Sequence, residues 1–285
     1  IKVCSFASFA ICFYILINEW TLIITGNIRI GESGSGNVNT VAIYLGLMSI
    51  PSIYKVFFER KYSYLIPYIF SIVIMFLTGS KKSLIFIFFG VYFFSILRYR
   101  LKLYKYILPT SIILAFIIFI FNNGYLYGIL GHRVVDFIGS IGFSLEGAKY
   151  SHSTELRIIM YKTGYNAFIT KPIFGGGWFY YSSYSGLGTY SHNNYIELLV
   201  TYGMVGFFIY YIMFFALLLR LKNIIKSNNY AKLIFTLIIA ILLNDFAAVT
   251  FSFNILNYQI LALGYIFLKG IKKSQNKKVK EEVDL

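Results

Sequence analysis

The stretch SHNNYIELLVTYGMVGFFIYYIMFFALLLR, residues 191–220, opens on a histidine and two asparagines and then runs apolar as far as Arg220. A helix needs ~20 apolar residues to cross a bilayer core of ~30 Å, and the segment 192–219 supplies them. Similar runs recur at about 3–24, 38–57, 63–79, 83–97, 105–121, 232–249 and 252–268. Composition agrees, with 58% of the 285 residues hydrophobic, 13% charged and a mean hydropathy of +0.69. One soluble core could not hide that much apolar surface, so lipid must be the solvent for most of the chain. The expected fold is all-α: a polytopic helical membrane protein with about eight transmembrane helices. The chain begins inside an apolar run and not on Met, which reads as a fragment lacking N-terminal helices.

The net charge of +15 does not call for nucleic acid, because cytoplasmic loops of membrane proteins collect Lys and Arg. One set of alternate loops holds Lys55, Arg60 and Lys61, then Arg98, Arg100, Lys102 and Lys105, then Arg220, Lys222, Lys226 and Lys232, then the lysines from Lys269 to Lys280. The short loops between them hold only Arg29, Lys81 and Lys82. This asymmetry places the tail in the cytoplasm and the long segment 122–190 outside. Four regions follow: N-terminal transmembrane helices over 1–121, a large, partly helical extracytoplasmic loop over 122–190, C-terminal transmembrane helices over 191–268, and a basic, solvated cytoplasmic tail over 269–285.

Within the loop, TELRIIMYKTGYNAFI (154–169) has a helical pattern with Leu156, Ile159, Met160, Thr163 and Ala167 on one face. Ser153 or Thr154 would cap its start, and Pro172 lies just past its end. GGG at 175–177 and SGLGT at 185–189 read as turns and flexible loop. Cys4 and Cys12 lack metal spacing and read as packing residues.

Intramembrane charges are costly and tend to mark function. Of the acidic residues, Glu19, Glu197 and Asp245 lie in or at the edge of an apolar run. Glu19 beside Trp20 reads as interfacial, and Asp245 beside Asn244 as a buried hydrogen-bonded pair. All three histidines, His132, His152 and His192, fall outside the membrane without metal-ligand spacing, so no metal is expected. TGSKKS (78–83) is not a P-loop, but two cations in a tight turn at a helix start suit an anion. Lys81 and Lys82 could equally snorkel to headgroups. His192, Asn193 and Asn194 together could bind and orient a hydroxyl or a phosphate, and imidazole is the usual general base. Asn193 and Glu197, four residues apart, share a helix face.

SHNNYIELLVTYGMVGFF resembles the H-N-x-Y-(L/I)-E…G-(I/M/V)-x-G signature of the bacterial O-antigen ligase and Wzy-type polysaccharide polymerase superfamily. Three further segments agree in order: RIGESGSGNVNTVAIYLGL, LTGSKKSLIF, and ELRIIMYKTGYNAFITKPIFGGGWFYY with its P-(L/I)-F-G-x-G piece. The resemblance covers roughly residues 25–210. It implies a membrane-integral glycosyltransferase that acts on the outer face of the bacterial plasma membrane and uses undecaprenyl-diphosphate-linked oligosaccharide, with no cofactor. It puts Arg29, Arg157 and Lys81 or Lys82 on the diphosphate and His192 on the acceptor, with Asn193, Asn194 and Glu197 as further substrate contacts. Tyr180, Tyr181, Tyr184 and Tyr190 become candidates to stack on sugars. The chain departs from the family where Lys81–Lys82 replace a usual Arg and Tyr161 a frequent Trp. Polymerase is the favoured activity and ligase the alternative. Membrane lipid and a chain-length regulator protein are candidate partners. A lipid-oligosaccharide flippase or other transporter is the reading from a different class, and it should show polar groups near the midplane and interrupted helices in symmetric halves.

Overall fold

A computed structural model describes residues 1–21, 38–78, 80–99, 151–252 and 254–283, with isolated helical positions at 111, 115, 118, 119, 122, 124 and 135. Arg29 and His132 lie outside the described residues, and of the expected span 105–121 only four positions, all helical, lie within them. Every regular element among the described residues is helical.

The N-terminal half contributes α1 (Lys2–Asn18), α2 (Val38–Glu59), α3 (Leu65–Leu77) and α4 (Lys81–Tyr99), with a 3-10 turn at Tyr62–Tyr64 leading into α3. α2 is the central helix and packs against α1, α3, α4 and a later helix, α8 (Asn229–Asp245). Leu45, Leu47, Ile50 and Tyr54 on α2 are almost wholly enclosed. Small residues let these helices approach closely, as expected where lipid removes the hydrophobic drive between helices. Ser52 donates to Ser5 across the α1–α2 contact at 2.8 Å. Pro51 inside α2 removes one backbone hydrogen bond and is tolerated where neighbouring helices surround it. Cys12 is buried, in line with its reading as a packing residue.

α5 (His152–Thr170) and α6 (Tyr180–Ser185) precede α7 (Asn194–Ile224), then α8, then α9 (Ile255–Val283). Among the described residues two helices, Val38–Glu59 and Asn194–Ile224, are long and apolar enough to cross a membrane. The 13-residue α3 rises only ~20 Å, shorter than the span expected over 63–79. At the other end the expectation of 252–268 is exceeded: α9 continues as helix through the basic tail to Val283.

Two local expectations need correction. α5 starts at His152, with Ser151 as the capping residue in place of Ser153 or Thr154. Its buried face is Thr154, Met160, Gly164 and Ala167, while Ile159 is exposed. The face turns because α5 packs on Ile196 of α7 through Gly164, where a β-carbon would lie 2.3 Å from Ile196 Cγ2. A small separate core of Met160, Ala167, Tyr181 and Val200 holds the two helices together. The expected end before Pro172 is as read.

The 192–219 run is not one continuous helix. Gly203 takes φ 63°, ψ −166° and divides α7 into Asn194–Tyr202 and Met204–Ile224. The KPIFGGG loop fills the gap with its own main chain. Gly176 N–H donates to Val200 C=O and Gly177 N–H to Thr201 C=O, both at 2.9 Å. In return Pro172 C=O accepts from Met204 N–H at 2.8 Å and Ile173 C=O from Val205 N–H at 3.1 Å. The glycine run therefore reads as a fitted plug and not as flexible loop. Buried backbone groups left unpaired are costly, and the loop replaces the missing helical bonds. A β-carbon on Gly203 would lie 2.2 Å from Ile173 O, and one on Gly175, at φ 71°, 2.5 Å from Thr201 O. Gly203→Ala is expected to destabilise the fold by about 2 kcal/mol or more, read as a lower thermal midpoint of the detergent-purified protein; an unchanged midpoint would contradict the plug.

Candidate active site

The site is assembled around the short half-helix Asn194–Tyr202. Asn193 caps it, its Oδ1 accepting from Tyr195 N–H at 2.9 Å and Ile196 N–H at 3.1 Å. The preceding turn is tightly held: Ser191 N–H donates to Glu197 Oε2 at 2.7 Å, and Ser191 Oγ donates to Asn193 C=O at 2.9 Å. Ser191, Asn193 and Asn194 are buried by these contacts, whereas His192 between them is half-buried. His192 takes φ 57°, a left-handed conformation that non-glycine residues rarely hold. This turns the imidazole away from its buried neighbours and against the Tyr190 ring, 4.4 Å between centroids. Strain at a residue held by its surroundings is a recurrent mark of functional positions.

Asn194 faces inward. Its Nδ2 donates to Tyr211 Oη and to Asp245 Oδ2, each at 3.1 Å. Its Oδ1 accepts from Thr250 N–H at 2.8 Å and Phe251 N–H at 2.9 Å. Asp245, wholly buried, also accepts from Tyr211 Oη at 2.9 Å and Thr250 Oγ1 at 2.6 Å. Asp245 is thus hydrogen-bonded as expected, but to Asn194, Tyr211 and Thr250 and not to its neighbour Asn244. This network pins the α8–α9 connector, described at residues 246–252 and 254, onto the start of α7.

The connector forms one wall of a cavity of about 210 Å³. Ala248, Val249, Thr250 and Asn254 line it from the connector, Asn39, Thr40, Ile43 and Tyr44 from the start of α2, Tyr190 and His192 from the turn, and Arg157 from α5. Arg157 and His192, 35 positions apart in the chain, therefore face the same space. Among the described residues no carboxylate lies within 4.0 Å of Arg157. Beside it Tyr161 donates to Phe246 C=O at 3.2 Å. Burial lifts the Tyr161 phenol above the ordinary tyrosine value, against the opposing pull of Arg157 and of a hydrogen bond with Asn193, so it stays protonated as a donor.

Ser80 of the TGSKKS segment touches a residue of the same wall. Ser80 Oγ donates to Asn39 Oδ1 at 2.9 Å, which places the start of α4, at Lys81, next to the cavity. The side chains of Lys81 and Lys82 lie outside the described set.

Residues 66–211, just over half of the chain, match the family model described as O-antigen ligase. The chain belongs to the O-antigen ligase family. No curated protein and no solved structure matches it. Membership supports a glycan-transfer role in O-antigen or polysaccharide synthesis in a membrane.

The structure brings together Arg157 and His192 of the residues that the sequence singled out for this family's chemistry. It turns Asn193 and Asn194 towards the protein, where they cap the half-helix and join the connector. Glu197 holds Ser191 and lines a neighbouring cavity. Tyr181 is a core residue, its phenol donating to Met160 C=O at 3.0 Å. Glu19 is buried within the protein, while Trp20 beside it is exposed. His152 is exposed at the start of α5. Sequence reasoning missed the connector and did not single out Asn39 and Tyr44, although Asn39 lies within a quoted segment. The signal for Asn39 was a polar residue at the very start of an apolar run, the same pattern that drew attention to His192.

Proposed function

We propose that this O-antigen ligase family protein is a polysaccharide polymerase of the bacterial plasma membrane. It transfers a growing O-antigen, capsule or exopolysaccharide chain from undecaprenyl diphosphate to the non-reducing end of a lipid-linked repeat unit, on the extracytoplasmic face. The observation that carries this reading is the convergence of Arg157 and His192 on one polar cavity at the mouth of a helix long and apolar enough to cross a membrane. The substrate needs two solvents at once, hydrocarbon for its polyprenyl tail and water for its diphosphate and sugars, and a helix mouth provides that boundary.

In this mechanism Arg157 holds the donor diphosphate bidentately, with Arg29, Lys81 and Lys82 as further cations. The acceptor hydroxyl oxygen attacks the anomeric carbon, the new glycosidic C–O bond forms, and the bond from that carbon to the diphosphate oxygen breaks. The electron pair leaves on undecaprenyl diphosphate, whose growing charge the cations stabilise. His192 takes the hydroxyl proton or orients the hydroxyl.

A specific observation favours a second reading, in that the matching family carries the description O-antigen ligase. A ligase performs the same bond exchange with another lipid acceptor. Transport is disfavoured by the Gly203 break itself. Transporters use the freed ends of broken helices to coordinate cargo, whereas here the loop's amides and carbonyls already occupy them.

The test is reconstitution in liposomes with a lipid-linked repeat unit, with and without a second lipid acceptor. A ladder of lengthened glycan on undecaprenyl diphosphate supports polymerase, and a single transfer to the second acceptor supports ligase. Movement of the lipid across the bilayer with no new glycosidic bond would refute both.

A further inference from the structure

A second cavity, of about 170 Å³, adjoins the first and shares Tyr190 and Val249 with it. Its walls are of two kinds. Trp178, Tyr190 and Phe251 supply aromatic surface, and Glu197, Thr201 and Ser252 supply polar groups. Trp178 is held edge-on to Phe251, with 5.7 Å between ring centroids and 72° between planes. Glu197 is nine-tenths buried. Its Oε2 accepts Ser191 N–H, and a carboxylate can accept about four hydrogen bonds, so it has capacity left for a ligand's hydroxyls.

The chemistry of the occupant follows from these walls. An enclosed cavity of ~150 Å³ accommodates one six-membered ring, so this one, at about 170 Å³, has room for a sugar ring. Aromatic surface favours a ring with an apolar C–H face. The Glu197 carboxyl and the hydroxyls favour a ring edged with hydroxyls, and none of the described residues that line this cavity is a cation to hold a phosphate. The two neighbouring cavities thus differ in chemistry, with the Arg157 cation in one and the Glu197 carboxyl in the other, and Tyr190 and the adjacent His192 at their boundary. We propose that the aromatic cavity is the subsite for the acceptor's terminal sugar ring, which it presents to His192 while the donor diphosphate stays with Arg157. This rests on the glycan-transfer reading and extends it to a named subsite. It also shifts the sugar-stacking role from Tyr180, Tyr181 and Tyr184 to Trp178, Tyr190 and Phe251.

The chain has two tryptophans, Trp20 and Trp178, so Trp20→Phe leaves Trp178 as the sole reporter in the full chain. The detergent-purified variant is titrated with the methyl glycosides of a hexose, an N-acetylhexosamine and a 6-deoxyhexose, with sorbitol as control. The expected result is a saturable fluorescence change for at least one glycoside and none for sorbitol, with binding roughly tenfold weaker after Glu197→Gln or Phe251→Ala. Phe251→Ala tests the aromatic wall, and Glu197→Gln keeps an acceptor for Ser191 N–H, so weaker binding in a variant with an unchanged thermal midpoint is a loss of ligand contact. A signal that responds to no glycoside, or equally to sorbitol, in a preparation that still elongates lipid-linked repeat units overturns the subsite and leaves the transfer reading standing. Saturable glycoside binding by a protein that transfers no lipid-linked glycan shows a sugar-binding cavity but sinks the transfer reading, and with it the acceptor role. A Trp178 signal that follows lipid headgroup composition and ignores glycosides assigns the residue to the membrane interface and overturns the proposal.

Discussion

His192→Ala is expected to lower glycan elongation in liposomes by ~10²–10⁴-fold, the range for losing a positioned general base, while the protein still folds and inserts. The imidazole is half-buried, and hydrogen bonds through Ser191, Asn193 and Glu197 shape its turn. Alanine at this left-handed position keeps some backbone strain, so a second variant, His192→Asn, is informative because Asn tolerates that conformation well. Both should lose turnover with near-normal thermal midpoints. Arg157→Ala is expected to fall by a comparable ~10²–10³-fold. Arg157→Lys should recover only part of that, because an ammonium cannot grip a diphosphate bidentately. Wild-type elongation in both alanine variants would move the chemistry away from this cavity.

Asp245→Ala is expected to act on stability instead. It would leave Tyr211 Oη, Thr250 Oγ1 and one donor of Asn194 without their buried acceptor. Orphaning buried groups costs ~1–3 kcal/mol each before relaxation, so a loss of about 2 kcal/mol or more is expected. Among the described residues no cation lies within 4.0 Å of Asp245, so hydrogen bonds alone hold the carboxylate. Asp245→Asn should be milder: its carbonyl can still accept from Thr250, but its amide meets the amide of Asn194 donor to donor. The measurements are yield and thermal midpoint in detergent. An Asp245→Ala protein as stable as wild type would show that the connector is held by something else.

The helical membrane class was legible because it depends on bulk composition and on run length, which one sequence displays directly. His192 and Arg157 were legible because polar residues at helix mouths stand out against lipid-facing runs and sit in recognisable family segments. The break at Gly203 was hidden. Hydropathy averages over TYGMVG and registers one run, while the cause lies about 30 positions upstream, in a loop whose backbone carries the missing hydrogen bonds. The face of α5 was misjudged for a related reason. Apolar counting favoured Leu156 and Ile159, but the close approach of Ile196 selects the side that carries Gly164, and nothing local to the helix announces that contact. Asn194 looked like a ligand because asparagine next to histidine invites it, and only the fold shows four hydrogen bonds consuming its amide.

Sidedness tests the account most directly. In a Cys4→Ser, Cys12→Ser background, single cysteines are placed at Ser183, exposed between Tyr181 and Tyr190, and at Ser227, exposed in the α7–α8 turn. A membrane-impermeant thiol reagent applied to intact cells should label position 183 and spare position 227 until the cells are opened. Labelling of 227 with protection of 183 would put the Arg157–His192 cavity on the cytoplasmic side and contradict the mechanism.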